Sequence, residues 1–324
     1  MRSRLLKPFR APALYVIMIA YYIGHFVSQA NATSSLTLLT YNIHAGVPLG
    51  KSSGKYAATL QDLRNIADVI TTSTADIVAL QEVKCDWGCS KPETLQSLPA
   101  DIPRVLACLT GHNFAFASTL DETPGFPGNT AYVEWGTCDQ WTNNDAVHGE
   151  FGNAILSRKP MTAPAQNIAL PKASTEEQRG CLRAEWNDAN SGFGAVVVYA
   201  THLENTTATA RTSQMKAILS RASLDTTTAT VFILGDFNYF PQPEEEDLIA
   251  LANASGFHDL AADYSRHHSA PPDFTFPSDK PDRRIDYILC SKPLPVDYAA
   301  TLNTRASDHL PLVIRVGPLP PEHP

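Results

Sequence analysis

A layered α/β core is the fold class this sequence predicts, and three observations predict it. Short apolar, β-prone runs alternate with helical periodicity in the order strand, helix, strand. Nearly every strand candidate carries a polar cluster at one end, "YN", "QE", "THL", "GDFN" or "SDH". The 324 residues are 44% hydrophobic and 18% charged, enough apolar material to bury a substantial core. Polar clusters at the strand ends of such a core fall along one rim, where a rigid scaffold presents chemistry.

The elements follow in chain order. "LTLLTY", Leu36 to Tyr41, is a buried strand running into the polar turn "NIHAG". Leu60, Leu63, Ile66, Ala67 and Ile70 then recur at helical spacing, and "ADIVALQEV" supplies a strand that ends in an acid, Glu82. From about Cys85 to Gly149 the chain is rich in Gly, Pro, Asn, Asp and Cys and reads as one extended loop region. Regularity returns with "NAILS", "GAVVVYATHL", a helix around Arg211 to Leu219, "VFILGDFN", "RIDYILC" and "LPLVIRV".

Residues 1–32 read as a targeting leader: Arg2, Arg4, Lys7 and Arg10 precede the apolar run "APALYVIMIAYYIGHFV", and the small-residue pattern Ala30-Asn31-Ala32 follows. The expectation is export into a secreted or periplasmic location, with an uncleaved membrane anchor as the alternative. A folded domain then spans 33–316, and 317–324 form a Pro-rich tail. Six cysteines in an exported chain suggest disulfides, and six allow about 15 pairings that a sequence does not choose among. The formal net charge of -8 provides no broad basic field for nucleic acid.

Each polar cluster has a bland and a chemical reading. Asn42 after the first strand is a turn residue or a hydrogen-bonding group of a site. Glu82 is a capping acid or an oxygen ligand for a hard cation. Asp236 and Asn238 alternate on an extended segment, so both can face one side while Phe237 turns the other way; the bland reading is a Gly-Asp turn. His202 follows a very apolar strand, where a histidine is commonly structural. Asp286, between apolar neighbours, requires a partner. Arg283 or Arg284 offers an ion pair, whereas His309 offers a carboxylate-histidine pair with a fixed tautomer. Asp308 and His309 are consecutive and diverge if extended, which suits two roles rather than one mutual bond.

Taken in order, "TYNIH", "LQEV", "GNAILS", "THL", "GDFN", "RIDYIL" and "SDHLPL" resemble the endonuclease/exonuclease/phosphatase superfamily of metal-dependent phosphoesterases over about Leu36 to Val316. The resemblance implies a four-layer α/β sandwich with the site along one edge. It implies Glu82, Asn42 and Asp308 at a Mg²⁺ or Mn²⁺ site, with Asp236 and Asn238 contacting water, phosphate and metal. It implies His309 as general base oriented by Asp286, His202 on the opposite side of the phosphate, and Asn153 as a phosphate-side group.

Substrate identity is less legible. The expectation is an exported phosphodiesterase acting on a lipid headgroup or small phosphoester, with a secreted nonspecific endonuclease as the alternative and a binding or toxin-like module as a second. The acidic run "PEEEDL" after the GDFN motif tilts the balance away from nucleic acid. Arg179 and Arg183, in "EEQRGCLRAEW", either contact phosphate or pair with Glu176, Glu177 or Glu185. Trp87, Tyr132, Trp135 and Trp141 could stack on bases, rest on a membrane surface or simply pack. Asn205 and Asn253 begin glycosylation sequons, and a glycan on Asn205 would crowd the proposed site. Nothing in the sequence calls for an obligate protein partner.

Overall fold

The computed structural model describes residues 35–52, 58–86, 101–121, 133–137, 149–188, 192–269 and 273–319. The leader, Trp87, Cys89, Tyr132, Cys138 and Trp141 lie outside the described residues. Among the described residues, no helix is long and apolar enough to cross a membrane.

Among the described residues, thirteen strands form two mixed sheets. The first holds β1 (Leu36–Asn42), β2 (Ile77–Asp86), β3 (Asn113–Asp121), β4 (Val133–Gly136), β5 (Gly149–Ser157), β12 (Val296–Thr301) and β13 (Leu312–Val316), in the order β12-β13-β1-β2-β5-β3-β4. The second holds β6 (Gln166–Ala169), β7 (Gly180–Asp188), β8 (Gly194–His202), β9 (Thr230–Asp236), β10 (His258–Asp259) and β11 (Asp286–Cys290), in the order β10-β11-β9-β8-β7-β6.

The period-2 alternation of strand side chains builds the layers. Leu38, Ile77, Ala79 and Ile155 of one sheet meet Val196, Val198, Ala200, Phe232 and Ile288 of the other in the central core. The intervening residues face outward under helices. Leu39, Tyr41, Val78 and Leu80 pack beneath α1 (Leu60–Ser73) and α2 (Ile102–Thr110). Val197, Tyr199, Val231 and Ile233 pack beneath α3 (Ala208–Asp225) and α4 (Leu248–Ala254). A further helix, α5 (Leu260–His268), adds Leu260 and Ala261 to the central core. Strands buried on both faces read as unbroken apolar runs, which is why "AVVVYA" and "VFIL" stand out in the sequence. The result is the expected four-layer α/β sandwich.

The stretch from Cys85 to Gly149 is not one loop. It contains α2, β3 and β4, so the loop reading is corrected. Helix α2 is only nine residues long, capped by Asp101, with Pro103 in its first turn and the left-handed Gly111 at its C-cap. Its Arg104 is buried, ion-paired to Asp101 and Glu134 and stacked on Phe114 at 5.4 Å. Polar and turn-forming residues that read as loop thus serve as helix caps and a buried ion-pair cluster. Cys181 and Cys290 are buried free thiols, so the disulfide framework does not extend to them.

Candidate active site

Strand direction gathers the polar clusters. β1 and β2 run parallel, as do β8 and β9, so Asn42, Glu82, His202 and Asp236 all lie at or near C-terminal ends on one edge. β11 runs antiparallel to β9 and begins with Asp286 opposite Asp236. β13 runs antiparallel to β1, which places the preceding Asp308 and His309 at the same edge.

Local backbone then aims the side chains. The β2–β5 register slips between Leu80 and Val83, a bulge in which Glu82 has φ 54°. A bulge redirects a side chain that regular pleating would send elsewhere, at a cost of order 1–3 kcal/mol for the left-handed residue. Gly235 has φ 157°, and a Cβ there would lie 1.9 Å from the Thr201 carbonyl oxygen. Its lack of a side chain lets β8 and β9 close together immediately before Asp236. Asn238 is also left-handed, at φ 49°, and its N–H donates to Asp236 Oδ1 at 2.8 Å. Phe237 turns into the core and stacks on Tyr287 at 5.1 Å, as expected, although β9 ends at Asp236 and the left-handed Asn238, not an extended segment, sets the direction of its side chain.

Asn42 ties the two sheets together. Its Oδ1 accepts from the His44 N–H at 3.0 Å, so its amide nitrogen faces the carboxylates, donating to Glu82 Oε1 and Asp236 Oδ2 at 3.0 Å each. His309 Nδ1 lies 2.9 Å from Asp286 Oδ2, with both residues buried. The arginine alternatives for Asp286 are taken elsewhere: Arg283 pairs with Asp282 and Arg284 with Asp259. His309 Nε2 and His202 Nε2 stand 3.6 and 3.5 Å from Asp236 Oδ2. Asp308 lines the same cleft on the side of His44, whose Nδ1 lies 3.9 Å from its Oδ1. The adjacent pair therefore diverges.

Burial pushes the Asp236 carboxyl up to about 7, with Asp286 adding to the rise and His309 opposing it. Burial works against a charged His309, but the Asp286 and Asp236 carboxylates outweigh it and hold the ring up at about 10. His202 goes the other way. Burial first, then Arg179 and His309, hold it well below the usual histidine value. Both its ring nitrogens face nitrogen donors, Arg179 Nη1 at 3.4 Å and Asn238 Nδ2 at 2.9 Å.

A cleft of about 660 Å³ opens over these groups, and Glu82, His202, Asp236, Asn238, Asp308 and His309 line it. Asn42 and Asp286 support it from behind. Asn153 does not line it; its Nδ2 donates to the Gly180 carbonyl at 3.0 Å, and its Oδ1 is buried without a hydrogen bond.

A model of the Endonuclease/Exonuclease/phosphatase family matches residues 39–309, most of the chain and all of the strand-end clusters. The chain belongs to this family. Its members are hydrolases of phosphoester bonds, typically dependent on a divalent metal, and so is this protein by membership. Comparison with curated proteins finds no match. Solved structures share the fold. An endonuclease/exonuclease/phosphatase from Beutenbergia cavernae DSM 12333 is 22% identical, with TM-score 0.61, covering 88% of this chain and 72% of its own. The human Nocturnin catalytic domain with bound sulfate is 20% identical, TM-score 0.59, covering 88% and 93%. The mannosyl-6-phosphatase of Bacteroides thetaiotaomicron VPI-5482 is 15% identical, TM-score 0.62, covering 87% and 99%.

Several expectations about the rim of this endonuclease/exonuclease/phosphatase site are corrected. "GCLRAEW", where phosphate contact is one of the two readings, is part of β7. Arg183 is held by two hydrogen bonds to Asp225, at 2.8 and 3.0 Å, and one to Glu185 at 3.0 Å, and it does not line the cleft. Arg179 does line it, while paired to Glu177 at 3.1 Å. Three of the four acids of "PEEEDL" are engaged away from the substrate: Glu245 binds Arg211, Glu246 binds Lys216, and Asp247 caps α4. Phe151, Phe240 and Phe276, not singled out beforehand, also form the cleft wall, together with Arg283 and Ile285. Phe151 lies in β5. Asn205 lines the cleft as well, in keeping with the crowding expected of a glycan there.

Proposed function

We propose that this protein is an extracytoplasmic, Mg²⁺- or Mn²⁺-dependent phosphodiesterase acting on a lipid headgroup or another small phosphoester. The observation that carries the reading is the buried His309–Asp286 pair, 2.9 Å long, turned toward Asp236 in a cleft also lined by the carboxylates of Glu82 and Asp308. An all-oxygen donor set of this kind fits a hard divalent cation. Glu82 and Asp308 would hold it, with Asn42 fixing the Glu82 carboxylate. When bound, the ion neutralises phosphate oxygen charge and stabilises the leaving oxyanion.

The remaining work falls to the chain's own side chains. Asp286 holds the His309 ring by Nδ1, which leaves Nε2 facing the cleft; the metal-free ring is protonated at neutral pH, and Nε2 would take a proton from an attacking water once positive charge in the cleft opposes that rise. Asp236, 3.6 Å from that nitrogen, aligns the water. His202, held neutral, and Asn238 line the other side of the cleft, where Asn238 Nδ2 donates to the Leu203 carbonyl at 3.0 Å and lies 2.9 Å from His202 Nε2. Arg179 adds positive charge beside His202.

A net charge of -8 and a cleft in the size range of small-ligand sites support a small phosphoester over long nucleic acid. The basic, apolar N-terminal segment supports export, and contact with a membrane surface would follow for a lipid substrate. Purified protein should hydrolyse bis(p-nitrophenyl) phosphate with Mg²⁺ or Mn²⁺ and stop on chelation. Run beside it, sphingomyelin, phosphoinositides, monoesters and plasmid DNA assign the substrate class. Absence of turnover across that panel would refute the enzymatic reading, and exclusive cleavage of DNA would replace it with the nuclease. Fusing residues 1–32 to a reporter that matures only outside the cytoplasm tests export.

A further inference from the structure

The cleft floor is acidic, while its wall holds two guanidinium groups that are neutralised to different degrees. Arg179 sits between Glu177 at 3.1 Å and Glu204 at 3.7 Å, so its charge is answered inside the protein. The ion-pair partner of Arg283 among the described residues is Asp282, whose side chain is 60% exposed. Such a surface pair is weak and easily exchanged for another anion.

Arg283 is instead held by rings. Its Cζ lies 5.0 Å from the Phe276 ring and 5.5 Å from the Phe240 ring, and its backbone pairs with Phe276 across a bridge. Phe276 in turn tilts against the His309 ring at 4.8 Å. Ring contacts engage the flat faces of a guanidinium and leave the N–H edge for a charged acceptor. One of those edge donors reaches Asp282, leaving others for a planar or tetrahedral anion. The two arginines flank the reaction centre, since Arg179 touches His202 while Arg283 reaches His309 through Phe276. On a chain of net charge -8, a distal anionic group needs a local cation of this kind to be accepted at all.

We propose that Arg283, clamped between Phe240 and Phe276, is a specificity-determining residue that binds a second anionic group of the substrate, a phosphate or carboxylate distal to the scissile phosphate. This rests on the phosphoesterase reading above and narrows its substrate class to doubly anionic small phosphoesters, free or as a lipid headgroup.

The test compares myo-inositol 1-phosphate with myo-inositol 1,4-bisphosphate in solution, and phosphatidylinositol with its 4-phosphate in phosphatidylcholine vesicles, using the full chain with Mn²⁺. A charged hydrogen bond predicts a roughly ten- to hundredfold higher kcat/KM for the doubly anionic member of at least one pair. Where neither member turns over, the same ratio is read from inhibition constants against bis(p-nitrophenyl) phosphate. Preference in the soluble pair identifies a free sugar phosphate, and preference in the vesicle pair a headgroup. Arg283→Met should bring the ratio close to one. Arg283→Lys should retain part of it, and Phe240→Ala should lower it several-fold by loosening the clamp. If Arg283→Met fails to fold, Arg283→Gln serves in its place. Calorimetry on metal-stripped protein should show inositol 1,4-bisphosphate binding weakened by the same substitution. Equal constants within both pairs for the wild type, or a ratio surviving loss of the guanidinium, would overturn the proposal. Failure of bis(p-nitrophenyl) phosphate hydrolysis would strike the phosphoesterase reading instead, and calorimetry would then decide the anion site separately.

Discussion

Asp286→Asn removes one charge from the centre of the site while keeping its shape. The carboxylate is fully buried, accepts at 2.9 Å from His309 Nδ1, and has a second oxygen without a hydrogen bond. An asparagine there either keeps its oxygen on Nδ1 and loses the charge, or turns its amide nitrogen to the ring and moves the ring proton to Nε2. The first leaves Nε2 a weaker base and the second puts the proton on it, and general-base help is worth roughly 10² to 10⁴ in rate, so kcat/KM should fall by up to that factor. Stability provides an independent readout in metal-stripped protein. His309 is raised from 6.5 to about 10 and Asp236 from 3.8 to about 7, so the folded state binds more protons than the unfolded one. Stability tied to His309 is therefore full below 6.5 and lost as pH rises through 10; that tied to Asp236 is lost as pH rises between 3.8 and 7. For a displacement as large as that of His309, the effect is of order a few kcal/mol. Wild-type Tm in EDTA should fall as the pH is raised from neutral toward 10, and Asp286→Asn should flatten that slope. A variant with kcat/KM within about threefold of wild type, or with an unaltered slope, would refute the pairing as the source of either effect.

Glu82→Gln should cost roughly 10³ in metal-dependent turnover and abolish calorimetric Mn²⁺ binding, with circular dichroism unchanged. Gly235→Ala should destabilise the fold by about 3 kcal/mol or more in chemical denaturation, because the added Cβ meets the Thr201 carbonyl at 1.9 Å; wild-type stability would disprove the close-approach argument. Asp225→Ala should cost about 3 kcal/mol by leaving the buried Arg183 with Glu185 alone, while the folded enzyme keeps its kcat/KM, and a selective rise in KM would restore Arg183 as a phosphate contact. Burial opposes the Asp225 charge, but hydrogen bonds from Arg183 and Tyr199 outweigh it and hold its pKa below 3.8. Its contribution to stability is thus present above 3.8 and lost as pH falls below it, so the variant should show a shallower acid-unfolding limb.

The core was legible because strands buried on both faces must be apolar at every position, and such runs are conspicuous. Helix α1 was equally plain from its periodicity, and its Thr59–Asp62 capping box marks where it starts. Helices α2, α4 and α5 and strands β3, β4, β6, β7, β10 and β12 were not. In α2 and β4, Asp101, Arg104 and Glu134 neutralise one another inside the fold, and isolated charges in a sequence look solvent-exposed. The same limitation made Arg183 look available and "PEEEDL" look like an acidic rim, since ion-pair partners such as Asp225 and Arg211 lie 42 and 34 residues away.

The sequence by itself marked out the candidate residues of the site. Asn42, Glu82, His202, Asp236, Asn238, Asp286, Asp308 and His309 each end or adjoin an apolar strand, and their order is that of the family. Only the tertiary structure decided who faces whom. The pairing of Asp286 with His309 rather than an arginine follows from the antiparallel registers of β11 and β13, and the inward aim of Glu82 follows from a bulge with φ 54°. The Arg283 clamp arises where a turn folds back on a second loop. These are contacts between segments distant in the chain, fixed by sheet register and backbone geometry, and local patterns of apolar and polar residues carry no information about either.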